Sequence, residues 1–518
     1  MYGLRKVLLI GSVLLFCACT PVFLRMESFG ENGEKEAVSE EDASESASSG
    51  KGSSIPVRDR ISDSIPSVFI TTKSGSLAYV EADKENAESG YMTILSEAGD
   101  PVYSGQLERL KGRGNTSWDA PKKSYSLKLS SRASLLGMEA AENWILTANY
   151  YDGAYIRNAM GAWLSERAGL PGTVQGRFVD LYGNGEYRGL YQLMERVELQ
   201  EGRIDAAGGW LLEMDYPERA ACEDNVLYLE NGQPVVIHDP AKVSDGQMEA
   251  LESWFTEMKK ALYADDYINP DTGKGIFAYL DLDSFARKYL LEEVLLNMDM
   301  GVTSHYLYLD ESGRLHEGPL WDLDNALGRG NYEEDQLLAL QGDPARNQML
   351  RWYIRLCAND VFYDRVLEIW EKQVFPALLE AEEAADQMLE PLRDSIRADR
   401  ERWPGVHSTT MPETDPDKNL SYLKEYLRDR TEVLRLAFSE NAQDTKAQLQ
   451  ERTAQLPEET VIGSAEGAET ADRSGQEEEG PAGLREGLLA SHGMICLILL
   501  LLVLGLLIAA DRRRGGGK

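Results

Sequence analysis

Cysteine is scarce. The 518 residues hold five, Cys17, Cys19, Cys222, Cys357 and Cys496, and three of these sit in apolar terminal segments. The body can therefore form at most one internal disulfide, Cys222 to Cys357. There is no Cys-x-x-Cys pair and the five histidines are scattered, which argues against a zinc site. Positive charge is short as well. Lys and Arg number 53 against 87 Asp and Glu, a net charge of −34. Such a surface repels phosphate backbones, so nucleic acid is not expected as a partner. It suits a secreted or surface protein with basic or metal-dependent partners. Neither a P-loop nor a Gly-x-Gly-x-x-Gly element occurs, and there is no internal repeat. A hydrophobic content of 43% nevertheless allows one large domain or two.

Apolar runs are confined to the two ends. Arg5-Lys6 precede Val7 to Ala18, the pattern of a secretory signal over residues 1–25. Leu15-Phe-Cys-Ala-Cys19 is similar to a lipoprotein signal with Cys19 as the lipidated residue, although Phe16 stands where an aliphatic residue is usual. Gly493 to Ala510 is uncharged and about long enough to span hydrocarbon. The predicted span is 490–510, and Asp511-Arg-Arg-Arg514 opens a basic tail, 511–518. The positive-inside rule puts that tail in the cytoplasm and the body on the extracytoplasmic side of the cell membrane. Residues 26–65 and 441–486 are rich in Glu, Ser, Gly, Ala and Thr, and read as a disordered spacer and a disordered stalk.

Between them, strand and turn signals dominate the first half. Val68 to Thr72, Tyr91 to Leu95, Leu107 to Lys111 and Asn143 to Ala148 are strand candidates. Phe178 to Tyr182 and Tyr187 to Leu193 flank Asn184-Gly185, a hairpin turn. Ala154 to Ala168 has helical spacing and Gly169 as its stop. The second half reads as helical: Leu282 to Leu296, then runs near 346–357, 360–379, 380–400 and 417–438. Leu350, Tyr353, Ile354 and Cys357 form a core stripe, and Trp118, Trp144 and Trp321 are expected in the core.

Two stretches could carry chemistry. His305-Tyr-Leu-Tyr-Leu309, the turn Asp310-Glu-Ser-Gly313 and the return Arg314 to Trp321 predict a β-hairpin. Asp299 precedes its first strand and Asp322 follows its second, so the hairpin can bring both carboxylates to one end. A base and a metal ligand placed together are what phosphoryl transfer requires. Asp is also an ordinary turn and cap residue, and the spacing alone does not decide between the two roles. Earlier in the chain, Leu110-Lys-Gly-Arg113-Gly-Asn115-Thr-Ser-Trp118 leads into Lys122-Lys-Ser-Tyr-Ser-Leu-Lys128-Leu129, a strand, a glycine-containing loop and a strand. Tyr125, Leu127 and Leu129 share one face; Lys122, Ser124, Ser126 and Lys128 share the other. A lysine there could hold phosphates approached closely by the backbone at Gly112 and Gly114, or the hairpin could be a solvated surface element.

These same residues carry a family resemblance. The Arg113 to Lys128 stretch resembles the opening motif of the CotH family, the spore-coat protein H kinases. Asn143-Trp144, Asn149-Tyr150 and Arg157-Asn158 resemble its next block. Asn184-Gly-Glu-Tyr187, Gly189-Leu-Tyr191 and Glu195 resemble the one after, and Gly208 to Asp215, Asn297-Met-Asp299 and Gly318 to Asp324 complete the order. The resemblance implies an atypical protein-kinase-like α+β fold, β-rich in its N-terminal part and helical in its C-terminal part, over a core of 66–330 with a helical extension at 331–440. It also implies ATP and Mg2+ as cofactors. By resemblance Asp299 is the catalytic base and Lys128, or Lys123, holds phosphates. Arg113 and Arg157 line the nucleotide site and Glu195 orders a lysine or touches the nucleotide. Asp322, Ser304 and Asp324 are the metal positions, with Asp324 alternatively a turn cap and Arg113 and Arg157 alternatively structural. Ser304 stands where many members have asparagine, and Leu323 replaces the usual aromatic.

The expected function is thus a membrane-anchored extracytoplasmic kinase phosphorylating Ser or Thr of secreted or spore-coat proteins, or of itself. The rivals are a non-catalytic surface module holding a wall polymer or partner protein, and a glycoside hydrolase with paired carboxylates. The lysine and arginine blocks count against the last.

Overall fold

The computed structural model describes residues 60–456 apart from 230, 330–331, 345–346 and 406–414. The predicted leader, the membrane span at 490–510 and the basic tail lie outside the described residues, as do most of the two spacers. Among the described residues no helix is long and apolar enough to cross a membrane.

Seven strands close into a barrel: β1 (Ser67–Thr72), β2 (Ala87–Leu95), β3 (Pro101–Arg113), β4 (Ser124–Ala133), β5 (Ala141–Thr147), β6 (Gly176–Gly183) and β7 (Glu186–Glu195), ordered β1-β2-β3-β4-β5-β7-β6. Period-two alternation makes it possible. Ile70, Met92, Leu110, Leu127, Leu146 and Leu193 point inward and are buried, while their neighbours face out. All pairs but one are antiparallel. The closing pair is parallel, with Ser67 opposite Asp180 and Ile70 opposite Gly183. The Asn184-Gly185 turn forms as its residue types predict, with both residues at positive φ. Trp144 is in the barrel core, but Trp118 is only half-buried, lying across Gly112, where an added Cβ would come within 2.3 Å of its ring.

A second sheet follows, β8 (Trp210–Met214), β9 (Val226–Tyr228), β10 (Pro234–Asp239), β11 (His305–Leu309) and β12 (Leu315–Glu317), ordered β12-β11-β8-β10-β9. Its apolar residues join the largest core, shared with the helices. These are α1 (Ala78–Ala82), α2 (Arg157–Ala168), α3 (Pro217–Ala220), α4 (Asp245–Tyr263), α5 (Leu282–Leu295), α6 (Leu338–Gln341), α7 (Gln348–Cys357), α8 (Asp360–Ile369), α9 (Phe375–Leu389), α10 (Arg393–Arg402), α11 (Pro416–Arg435) and α12 (Ala442–Ala454). The molecule is thus a mixed α+β structure, β-rich first and helical after. A smaller apolar cluster, including Ile145, Val197, Leu211 and Trp321, lies between the barrel and the second sheet.

Three boundaries differ from expectation. The break placed at 379/380 is absent: a single wide turn, Trp370–Val374, joins α8 to α9 just before Pro376, and α9 runs on to Leu389. The acidic stretch assigned to a stalk begins with α12, whose Thr445 and Leu449 are buried, so the folded body continues past 441. At the other end Ile65, assigned to the spacer, is buried in the core. Cys222 is exposed and Cys357 buried, and both are free thiols.

Candidate functional site

The end of α5 sets the position of Asp299. Leu296 terminates the helix in the left-handed region, and the Asn297 side-chain oxygen accepts the Asp299 amide at 3.1 Å. The Asp299 carbonyl in turn accepts the amides of Val302 (3.0 Å) and Thr303 (3.1 Å), a tight turn leading into β11. The β11–β12 hairpin then returns the chain, with Leu307 opposite Glu317. Lys288 of α5, buried, donates to the carbonyls of Gly318 (3.2 Å) and Pro319 (2.9 Å) and pins the exit. Asp322 follows in the left-handed region (φ 59°, ψ 57°), which Asp adopts more readily than most residues. The Leu323 amide donates to Asn158 Oδ1 at 2.9 Å. Leu323 packs directly on Gly161, where a Cβ would meet its Cδ1 at 2.0 Å, so α2 approaches the Asp322–Asp324 turn as closely as a helix can.

The hairpin therefore gathers the carboxylates. Burial pushes Asp299 up to about 6, with Asp322 adding to the rise and Asn325 and Arg219 opposing it. Asp322 is an exposed residue whose carboxyl is nonetheless raised by the desolvation its neighbours impose, against the pull of Arg113 and then Arg219. Asp324 is raised too, by burial first and Asp322 next. Arg113, at the end of β3, lies over the Trp321 ring at 5.4 Å and faces Asp322.

Arg113 also lines a cavity of about 580 Å³ between the outer face of β3–β5 and the second sheet. Five cationic side chains border it, Lys84, Arg109, Lys111, Arg113 and Arg196, against three acidic ones, Glu85, Glu198 and Asp239. In a chain of net charge −34 this is a local reversal of sign. Ile145, Leu211 and Tyr306 supply an apolar wall, and Gly112 and Gly114 the loop edge.

Several expected residues are not brought to this cavity. Lys128 is on the outward face of β4, as its alternation predicts, but its ammonium binds Glu108 at 2.8 Å and it does not line the cavity. Lys123 donates to the Trp118 carbonyl and lies over that ring at 4.7 Å. The lysines that do line it are Lys84 and Lys111, the latter on β3 and bonded to Glu85 at 2.7 Å. Glu195 orders no lysine. Its carboxylate accepts the amides of Gln175 (3.0 Å) and Glu139 (3.3 Å) and lies 3.8 Å from Arg203, tying loops together beneath the cavity wall. Arg157 is fully buried, paired with Asp152 at 2.5 Å and donating to the Ala326 carbonyl at 3.2 Å, so it supports the aspartate turn from behind. Arg196 and Arg219 were not singled out from the sequence. Only an alternating strand pattern carried on past Glu195, or the Asp215-to-Arg219 spacing, could have pointed to them.

A family model described as CotH kinase protein matches residues 110–434. The chain belongs to the CotH kinase family. No curated protein matches it. The match spans every residue of the aspartate cluster and most of the cavity wall. One of the two family departures has a local account. Ser304 sits at φ 54°, a conformation that favours asparagine, so the backbone gives no structural reason for the serine. Leu323 in place of an aromatic fits the narrow space over Gly161.

Among the described residues no group of three or more His, Cys, Asp or Glu side chains has the geometry to enclose a metal. Magnesium does not need one: it binds through one or two carboxylates and fills its shell with phosphate oxygens and water. Asp322 with Asp324 fits that requirement in number and type, two neighbouring carboxylates of which Asp322 raises the proton affinity of Asp324 by its charge and would attract a hard cation in the same way.

Burial of Asp299 beside Asp322 predicts a pH-dependent cost. With its pKa at about 6, the folded state holds the Asp299 proton more tightly than the unfolded chain, so stability falls as pH rises from about 4 past 6. Asp299→Asn is expected to melt about 2–4 °C above the parent at pH 8. The two should coincide near pH 4, where the parent carboxyl is already neutral. Thermal melts across this range check it, and a lower melting point for the variant at pH 8 would contradict the assignment.

Proposed function

We propose that this CotH-family protein is an ATP-dependent protein kinase of an atypical, kinase-like fold, transferring phosphate to serine or threonine. The observation that carries the reading is the convergence of Asp299 and Asp322 beside Arg113, at one side of a cavity whose border is cationic in an otherwise acidic protein. Arg113 and Lys111 hold the phosphates, and the apolar wall of Ile145, Leu211 and Tyr306 packs against the base. Asp299 takes the proton of the acceptor hydroxyl on its carboxylate oxygen as the hydroxyl oxygen bonds to the γ-phosphorus and the bond from γ-phosphorus to the bridging oxygen breaks, releasing ADP. Asp322 and Asp324, with Ser304 as the further metal position the family resemblance implies, would hold Mg2+, which would neutralise charge on the transferring group. Acceptors are serine-rich secreted or coat proteins, or this chain's own spacer, reached by a body held outside the cell on its C-terminal span.

The test is transfer of labelled phosphate from Mg-ATP by the full-length protein, with nucleotide affinity measured by calorimetry. Arg113→Ala is expected to weaken ATP binding about tenfold or more, since a charge-assisted bond contributes roughly 1.5–3 kcal/mol. Unchanged affinity would move the nucleotide out of this cavity. One observation favours a second reading, a non-catalytic binding module: no β4 lysine reaches the cavity. It predicts neither heat with Mg-ATP nor labelling.

A further inference from the structure

Next to the aspartate cluster, one arginine has neighbours that structural need does not account for. Arg219 sits on the short helix α3, with its side chain 31% exposed. A single nitrogen, Nη1, makes both of its polar contacts: it donates to Thr303 Oγ1 at 2.8 Å and lies 3.4 Å from Asp215 Oδ1. The Thr303 hydroxyl passes the contact on, donating to the same Asp215 oxygen at 2.5 Å. Thr303 is buried, and its amide bonds the Asp299 carbonyl at 3.1 Å. Three residues distant in sequence thus close a triangle on the turn that carries Asp299. The guanidinium faces lie over the Tyr216 ring at 5.2 Å, which limits where the group can swing.

We propose that Arg219 is a positioning residue of the transfer site: clamped by Asp215, it holds Thr303, and through Thr303 the Asp299 turn, in the geometry that transfer requires. The inference rests on the kinase reading and adds to it a residue on the short helix that follows β8. Its field also favours the ionised form of both Asp299 and Asp322, in keeping with the geometry. A displaced base costs rate steeply, since transfer needs the reacting atoms within a few tenths of an ångström of alignment. Nothing in the clamp touches the cavity where the nucleotide sits, so its loss acts on turnover and not on nucleotide affinity.

The experiment uses the full-length protein and three variants, Arg219→Ala, Arg219→Lys and Thr303→Val. Hydrogen exchange of peptides covering residues 298–306 is read first. Arg219→Ala and Thr303→Val are expected to raise exchange at the Val302 and Thr303 amides about tenfold. Kinetics follow, with kcat falling about 10–100-fold while KM for ATP stays within about twofold. Because both contacts come from one nitrogen, a lysine ammonium can replace them, and Arg219→Lys is expected to recover most of kcat. Unchanged exchange in both disruptive variants overturns the clamp whatever the activity. Unchanged kcat, or a loss confined to KM for ATP, overturns the positioning role. A parent protein that transfers no phosphate at all overturns the kinase reading and the positioning role together, while the exchange result still reports on the clamp alone.

Discussion

Asp322→Asn is expected to lower the rate of phosphate transfer about a thousandfold, equivalent to roughly 4 kcal/mol of barrier. Asparagine keeps the volume and tolerates the left-handed backbone at this position, so the turn survives. What disappears is the negative charge. The site then has only Asp324 to offer a hard cation, and an amide oxygen is a weak substitute for a carboxylate. Arg113 stays over Trp321 and keeps its place at the cavity, so nucleotide binding without magnesium should persist. Initial rates at saturating Mg-ATP, beside circular dichroism of the variant, separate this from misfolding. A variant that keeps the parental rate would remove Asp322 from the metal.

The second large effect is on stability. Glu293, on α5 and fully buried, accepts the amides of Leu338 (2.6 Å) and Ala339 (2.9 Å) and pairs with Arg430 Nη2 at 3.1 Å. Arg430, from α11, also donates to the carbonyls of Glu293 (2.8 Å) and Glu334 (2.9 Å). Burial raises the Glu293 pKa even against that pairing, a sign of how dry the place is. Glu293→Ala would leave a buried guanidinium without its counter-charge and two amides without acceptors. The expected cost is about 3–5 kcal/mol, and a fall in melting temperature of roughly 5–10 °C. Because α5 ends at the Asp299 turn, activity at 37 °C should fall in parallel. Chemical denaturation of the parent and variant measures it, and a loss below about 1 kcal/mol would mean that water replaces the lost partners.

The aspartate pair was legible because a hairpin is local. Asp310-Glu-Ser-Gly313 announces the turn, and the antiparallel return follows within a few residues. The two-residue turn at Asn184-Gly185 was legible for the same reason. The lysine was not. Alternation places Lys128 on the outward face of β4, which is correct, but that face curves. Ser126 lines the cavity while Lys128, one step along, has turned away to Glu108. The curvature comes from barrel closure, and closure depends on β1 finding β6 more than a hundred positions later, a pairing no local pattern encodes. Helix α4 passed unnoticed although its signals were present: a capping box at Ser244 and Gln247, and Leu251, Phe255, Met258 and Leu262 at helical spacing. The acidic character of 441 onward concealed α12 because the helix buries a single leucine, Leu449, and one threonine, and is otherwise docked by polar contacts such as Arg452 to the Leu340 and Gly342 carbonyls and Lys446 to Asp360.

The parallel seam between β1 and β6 bears on what counts as the folding unit. The recognisable family segment begins at Leu110, inside the third stave. A polypeptide trimmed to that segment would lack β1, β2 and most of β3, and both β4 and β6 would present bare amide and carbonyl rows to solvent, an invitation to edge-to-edge aggregation. The smallest soluble piece that can keep the Arg113 end of β3 in register must therefore start near Arg60, some fifty residues upstream of where kinship becomes visible.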